Sequence, residues 1–235
     1  MSDTFYQETM TVARASGDAR AAFIRRTYGH LAGAVIAFLL VVSALLHYTT
    51  LPQAMLGFIQ ANQFGWLMLL GGFMLIGWMA RGLAAGAGGT AVQYAGLGLY
   101  VVAQALLFLP LLYIATVFAS PDVLPQAAIC TGALFGGLTF VVFTTRKDFS
   151  FLGSILKVGG LIALGAIVAG AIFGFNLGLG FTVLMIVFAS AAILYDTSRI
   201  MREYPTDRHV GASLELFASV ALLFWYVLQL FMARD

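Results

Sequence analysis

Asp196 closes a long apolar run, GLGFTVLMIVFASAAILYDTSRIM, from Gly178 to Met201. A carboxylate at the border of a membrane span is costly to desolvate, and such groups commonly serve ion pathways, proton relays or ion pairs. Glu215 is the second acid of interest. Pro205 lies nine residues after Asp196 and ten before Glu215. Two antiparallel helices turning near Pro205 would set both carboxylates at similar depth. Two acids sharing a low-dielectric site do not both ionise cheaply, so such a pair senses pH or holds a cation. A structural alternative stands beside it: Asp196 pairs with Arg199, three residues on, or with Arg202, while Glu215 faces the lipid headgroups. Lys157, about two turns into another apolar run, either snorkels to the interface or partners one of the acids.

These residues must be held by membrane helices. The chain has 235 residues, 61% hydrophobic and 9% charged, with a mean hydropathy of +0.96. Soluble domains carry about 25% charged residues. The apolar segments are continuous and rich in Leu, Ala, Gly and Phe. They show no strand alternation, which predicts an all-α membrane protein rather than a barrel. Seven windows are long enough to span: 29–48, 63–80, 91–112, 125–145, 151–173, 178–197 and 211–232. Short turn-like breaks join them, among them Thr49 to Pro52, Gly86 to Gly89, Ser120 to Asp122 and Tyr204 to Asp207. The expected organisation is a polar tail over 1–27 and a seven-helix transmembrane domain over 28–235. The tail lacks the apolar core and cleavage site of a signal peptide. It reads as cytoplasmic, with an amphipathic helix near Ala13–Arg26, and the first span is expected to act as the targeting signal.

Basic residues set the orientation. Arg14, Arg20, Arg25 and Arg26 precede the first span. Arg81 falls in the second loop, Arg146 and Lys147 in the fourth, and Arg199, Arg202 and Arg208 in the sixth. The first, third and fifth loops carry none, so the N-terminus is expected in the cytoplasm and the C-terminus in the periplasm. Glycines cluster from Gly132 to Gly174, either for close helix packing or as a gating hinge. Trp66, Trp78, Tyr48 and Tyr204 are expected as interfacial anchors. Pro110 predicts a kink or an early end to the third span.

Several functions are excluded or disfavoured. The chain has one cysteine, Cys130, in an apolar stretch, which rules out an intramolecular disulfide and reads as a packed residue. His30, His47 and His209 show no metal-ligand spacing with a carboxylate. There is no GxSxG, HExxH or P-loop sequence, and no basic patch for nucleic acid. No enzyme activity, cofactor or resident metal is expected.

Taken together, seven spans, ILYDTSRIM ending the sixth, and a short basic loop before the seventh resemble the Bax inhibitor/YccA family. TTRKDFSFLGS at Thr144–Ser154 and the terminal MARD at Met232–Asp235 are closest to its bacterial YccA branch, with a further match in RRTYGHLAG at the start of the first span. The resemblance covers essentially the whole chain and implies a multi-pass bacterial inner-membrane protein. In the wider family it implies two aspartates on the last two spans, acting as a pH-sensitive latch for a calcium leak. Asp196 matches the first. Aligning SLEL at Ser213–Leu216 with the start of span seven puts Phe217 at the second position, and Glu215 lies about 200° around the helix from it. In the YccA branch the resemblance implies a non-enzymatic partner and modulator of FtsH, the membrane-anchored AAA quality-control protease, engaged through the N-terminal tail. That tail carries Arg14, Arg20, Arg25 and Arg26 as partner-binding candidates. The FtsH role is the leading expectation. A pH-gated calcium leak using Asp196, Glu215, Arg199 and Lys157 is the alternative, and a small-solute transporter the second. Lipid is the other expected partner, and the sequence leaves the oligomeric state open.

Overall fold

Seven of the eight helices among the described residues are long and apolar enough to cross a membrane. The structure is a computed structural model and describes residues 11–85 and 89–235. In order the helices are α1 (Gly17–Tyr48), α2 (Leu51–Ala61), α3 (Gly65–Ala85), α4 (Gly89–Phe118), α5 (Val123–Thr145), α6 (Leu152–Phe173), α7 (Gly178–Arg202) and α8 (His209–Met232). The first ten residues of the expected tail, and Gly86, Ala87 and Gly88 of the expected second turn, lie outside the described residues.

Local chemistry explains where these helices start and stop. Ser16 caps α1 by accepting a hydrogen bond from the Ala19 amide at 3.3 Å, and Asp18 sits in the first turn, where a negative charge suits the helix dipole. Among the described residues no separate amphipathic helix precedes the first span, because α1 runs unbroken from Gly17 into it. The short α2 falls in what reads as an irregular first loop. Pro52 opens it at a position where its missing N–H costs nothing. Gly174, with φ of +72°, ends α6 in the left-handed conformation that a side chain disfavours. Pro110 lies inside α4 without ending it; the helix continues to Phe118.

Two spans are central. α8 and α4 bury most of their length and are flanked by α1, α3, α5 and α7, while α6 lies outermost. The centre is aromatic. Phe108 meets Trp225 edge-on at 4.9 Å and Phe38 at 5.3 Å, and Phe217 lies edge-on to both Phe38 and Tyr100. Such contacts add to apolar packing where lipid supplies no hydrophobic drive between helices. Trp66 stacks on Trp225 at 5.5 Å rather than anchoring at an interface, whereas Trp78 and Tyr48 are exposed as expected.

The clustered glycines divide into two kinds. A Cβ on Gly159 would come within 3.1 Å of Phe188, and one on Gly170 within 3.1 Å of the Phe175 carbonyl, so these serve close packing. Around Gly132, Gly136, Gly137 and Gly165 a Cβ would meet nothing within 4 Å. The tightest approach in the membrane region is elsewhere, at Gly96. A Cβ there would lie 2.6 Å from the Ala80 carbonyl oxygen and 2.7 Å from the Ala84 nitrogen.

Candidate functional site

The functional candidates gather at the end of the bundle that holds most of the basic residues. Asp196, in the second half of α7, accepts a hydrogen bond from the Ser219 hydroxyl of α8 at 2.5 Å. Ser219 is buried. Glu215, one helical turn before Ser219, instead forms an ion pair with Arg81 of α3 at 3.6 Å. Arg81 also lies over the Tyr100 ring, 5.6 Å from its centroid. The two carboxylates therefore have different partners: a hydroxyl for Asp196 and a guanidinium for Glu215.

This arrangement revises several expectations. The residue opposite Asp196 is Ser219, whereas Phe217 is in the aromatic core between Phe38 and Tyr100. Arg199 pairs with Glu203 at 3.1 Å and lies over the rings of Tyr195 and Tyr204, and it forms no ion pair with Asp196. Lys157 is exposed on the outer helix α6, with no ion pair among the described residues. Tyr204 faces the site rather than an interface. Burial pushes its phenol above the usual range, and the Glu215 carboxylate adds to that, so it remains a hydroxyl donor at neutral pH.

Arg81, Ser219 and Tyr100 are the functional candidates that the sequence reading passed over. Arg81 had one available signal: it stands four residues before the end of an apolar helix, in GWMARGLAA, where a guanidinium needs a partner inside the bundle. It lines two cavities. One, of about 230 Å³, opens among Arg199, Glu203, Tyr204, Arg208 and Glu215. The other, of about 330 Å³, runs deeper between α3, α4, α6, α7 and α8, and its wall includes Tyr100, Gln104 and Ser219. The Gln104 side-chain oxygen is buried in that region with no hydrogen-bond partner among the described residues.

Two further contacts fasten this end. The α5–α6 loop is pinned to the end of α7: the Phe149 amide donates to Ser198 at 3.2 Å, and Arg202 pairs with Asp148 at 3.4 Å. A Cβ on Gly153 would sit 2.8 Å from the Tyr195 ring. The TTRKDFSFLGS and ILYDTSRIM segments are thus one packed unit. The Ser150 amide, donating to Asp148 at 2.9 Å, holds that carboxyl below the usual carboxylate range, and Arg202 helps. A depressed folded value means that this favourable term is present above the unfolded carboxylate value and is lost as pH falls through the folded one. The Ser150 amide resonance should accordingly titrate with a midpoint below that of a free aspartate, and Asp148→Asn should abolish the transition. A midpoint at or above the free value would disprove the loop contact.

The other fastening involves the tail. The Val12 amide donates to the Tyr204 carbonyl at 2.9 Å, and Thr11 forms an antiparallel bridge with Pro205. Arg20 then reaches back to the Val12 and Ala13 carbonyls at 3.1 and 2.9 Å. Val12 is fully buried by this clasp. Arg14, Arg25 and Arg26 remain exposed. At the opposite end, the Asp235 carboxylate of the MARD segment accepts from the Ser120 amide at 2.7 Å, which holds its carboxyl below the usual range.

A seven-span helical bundle with a polar cluster at one end and most of its surface apolar defines a multi-pass membrane protein. The sequence model described as "Inhibitor of apoptosis-promoting Bax1" matches residues 20–235. The chain belongs to that Bax inhibitor family. It is 35% identical over 111 residues to an uncharacterized protein of Pseudomonas aeruginosa, an alignment covering 47% of this chain and 50% of the relative. It is 33% identical over 117 residues to the Escherichia coli protein named "Modulator of FtsH protease YccA", covering 48% and 53%. To the Arabidopsis thaliana protein named "Protein LIFEGUARD 4" it is 31% identical over 151 residues, covering 61% and 59%. The chain thus spans about half the length of the first relatives it matches. The seven spans and the name "Inner membrane protein YccA" carried by one relative agree with the expected multi-pass inner-membrane location.

Proposed function

We propose that this chain is a non-enzymatic regulator of membrane-protein quality control that acts on an FtsH-type protease through its N-terminal tail. The observation that carries the reading is the clasp. The bridge from Thr11 and Val12 to the α7–α8 loop fixes where the tail leaves the bundle, beside the polar cluster. A fixed exit presents a tail to a partner in one orientation, which lowers the ordering cost of binding. The name of the E. coli relative supports the same partner. With the basic end placed in the cytoplasm by the distribution of Arg and Lys, the tail would face the protease.

The test is degradation of an FtsH substrate in membranes holding the wild-type chain or one of two variants. Removing Met1–Met10, which leaves the clasp and the bundle intact, should abolish the effect on substrate half-life. Asp196→Asn should leave it unchanged. An effect that survives removal of the tail would overturn the proposal.

A second reading is favoured by one feature. Arg81, paired with Glu215, lines both the outer cavity and the deeper one. That is the arrangement of a plug in a cation path, with Asp196 beneath it as a single acid held by Ser219 rather than as half of a carboxylate pair. Calcium is the cation that the family resemblance implies.

A further inference from the structure

We propose that the groove between α1 and α4 is a binding site for one anionic phospholipid, with its phosphate at Arg25 and Arg26 and an acyl chain running along the two helices. The groove has a volume of about 610 Å³. At its mouth, Arg25 and Arg26 are exposed, and neither has an ion-pair partner among the described residues. His30 and Tyr94 join the helices there. The two ring nitrogens of His30 lie 2.6 Å from the Arg26 carbonyl and 2.6 Å from the Tyr94 hydroxyl. In the neutral ring, one nitrogen donates to the carbonyl and the other accepts from the phenol. This strut holds α1 and α4 at a fixed separation beneath the two guanidinium groups.

Below the mouth the groove becomes wholly apolar. Its floor includes Gly33 and Gly98, around which a Cβ would meet nothing within 4 Å. These glycines therefore do not serve helix contact as Gly96 does; they leave a channel where side chains would otherwise stand. Val102, further down the same wall, is 44% exposed. The residues lie within membrane spans, so the medium outside is hydrocarbon, and an acyl chain fits the lower part. Two guanidinium groups at the mouth fit a phosphate diester, because arginine matches phosphate oxygens in paired hydrogen bonds. Basic recesses between spans at the headgroup level are the general form of anionic-lipid sites. The charge at one end and the apolar channel at the other choose an anionic phospholipid over a zwitterionic one and over a peptide.

Native mass spectrometry of the full chain in detergent tests this with three probes: phosphatidylglycerol, phosphatidylcholine and glycerophosphoglycerol, the headgroup without chains. Phosphatidylglycerol should bind at least about tenfold more tightly than phosphatidylcholine, since each of two basic groups near the membrane surface favours the anion. Arg25→Gln with Arg26→Gln should remove that preference. Gly33→Leu with Gly98→Leu, whose Cβ atoms would stand in open space, should weaken phosphatidylglycerol binding while both arginines remain. Glycerophosphoglycerol should not compete. Equal binding of the two lipids would overturn the proposal, as would phosphatidylglycerol binding unaffected by the leucine pair. Competition by the headgroup alone would show a phosphate site without a groove. A dimer that the leucine pair dissociates would show that a second copy fills the groove, and either of these results also overturns it.

Discussion

Gly96→Val is expected to lower the thermal midpoint of the detergent-solubilised protein by roughly 5–10 °C or to prevent its recovery as a monodisperse species. The reason is the nature of the neighbours. A Cβ at this position would stand 2.6 Å from one backbone atom of α3 and 2.7 Å from another, so no side-chain rotation relieves the clash. The helices must separate instead. Lipid fills the space around a loosened pair as readily as protein does, so close backbone approach is much of what holds α3 on α4. Overpacking of this kind costs about 1–3 kcal/mol, and more where backbone must move. Gly98→Val, two residues on and about 200° around the helix in open space, is the control and should leave the midpoint within about 2 °C. Equal losses at the two positions would refute the assignment of the helix contact to Gly96.

Arg81→Ala is expected to raise calcium entry into liposomes holding the purified chain by at least about tenfold, if the second reading of the site is right. A divalent cation passing a guanidinium about 4 Å away meets repulsion of several kcal/mol at an effective dielectric near 20, and Glu215 offsets only part of it. Removing the side chain also takes away the one residue, among those described, that lines both cavities. Arg81→Lys keeps the charge on a slightly shorter, more flexible stem and should stay near the wild type. Glu215→Gln leaves the guanidinium unpaired and should lower entry further. Arg81→Ala that remains as tight as empty liposomes, in protein with an unchanged melting profile, would leave the ion pair a structural brace. The FtsH reading would be untouched by that result, because it rests on the tail.

The frame of this protein was legible because apolar windows recur along the chain and basic residues mark every second break between them. Every long apolar window became a helix; most boundaries held or moved outward, the first helix starting at Gly17 rather than 29, while the starts expected at 63 and 151 moved inward to Gly65 and Leu152. What escaped were features that depend on neighbours. LPQAMLGFIQA is too short to span, and Pro52 reads as a turn until it is seen at the start of a helix. Trp66 looks like an anchor by position, but the position says nothing of Trp225 beside it.

At the site, Asp196 was legible from its cost and its partner was not. Counting symmetrically about Pro205 gives Glu215. The two helices, however, do not end level. Asp196 lies six residues before Arg202, where α7 ends, and Ser219 lies ten after His209, where α8 begins. At about 1.5 Å per residue, α8 begins roughly one turn beyond the level at which α7 stops, and that turn exchanges Glu215 for Ser219. Arg199 was assigned to Asp196 by spacing alone, but Glu203 at i+4 and two aromatic rings compete for it, and they hold it. Arg81 was counted for orientation because it stands near a loop. Only the packing of α3 against α8 reveals that it points inward.

The bridge between Thr11 and Pro205 also has a meaning in time. A ribosome makes Val12 before any of the seven spans and Tyr204 after six of them, so the two can meet only when those six have been made. A copy stalled or cut short before the α7–α8 loop leaves Val12 and Arg20 with nothing to grip. The state of the tail would therefore report, from one accessible place, whether the six spans before the α7–α8 loop have been made, and a partner that takes hold of tails would meet that difference without inspecting a single span.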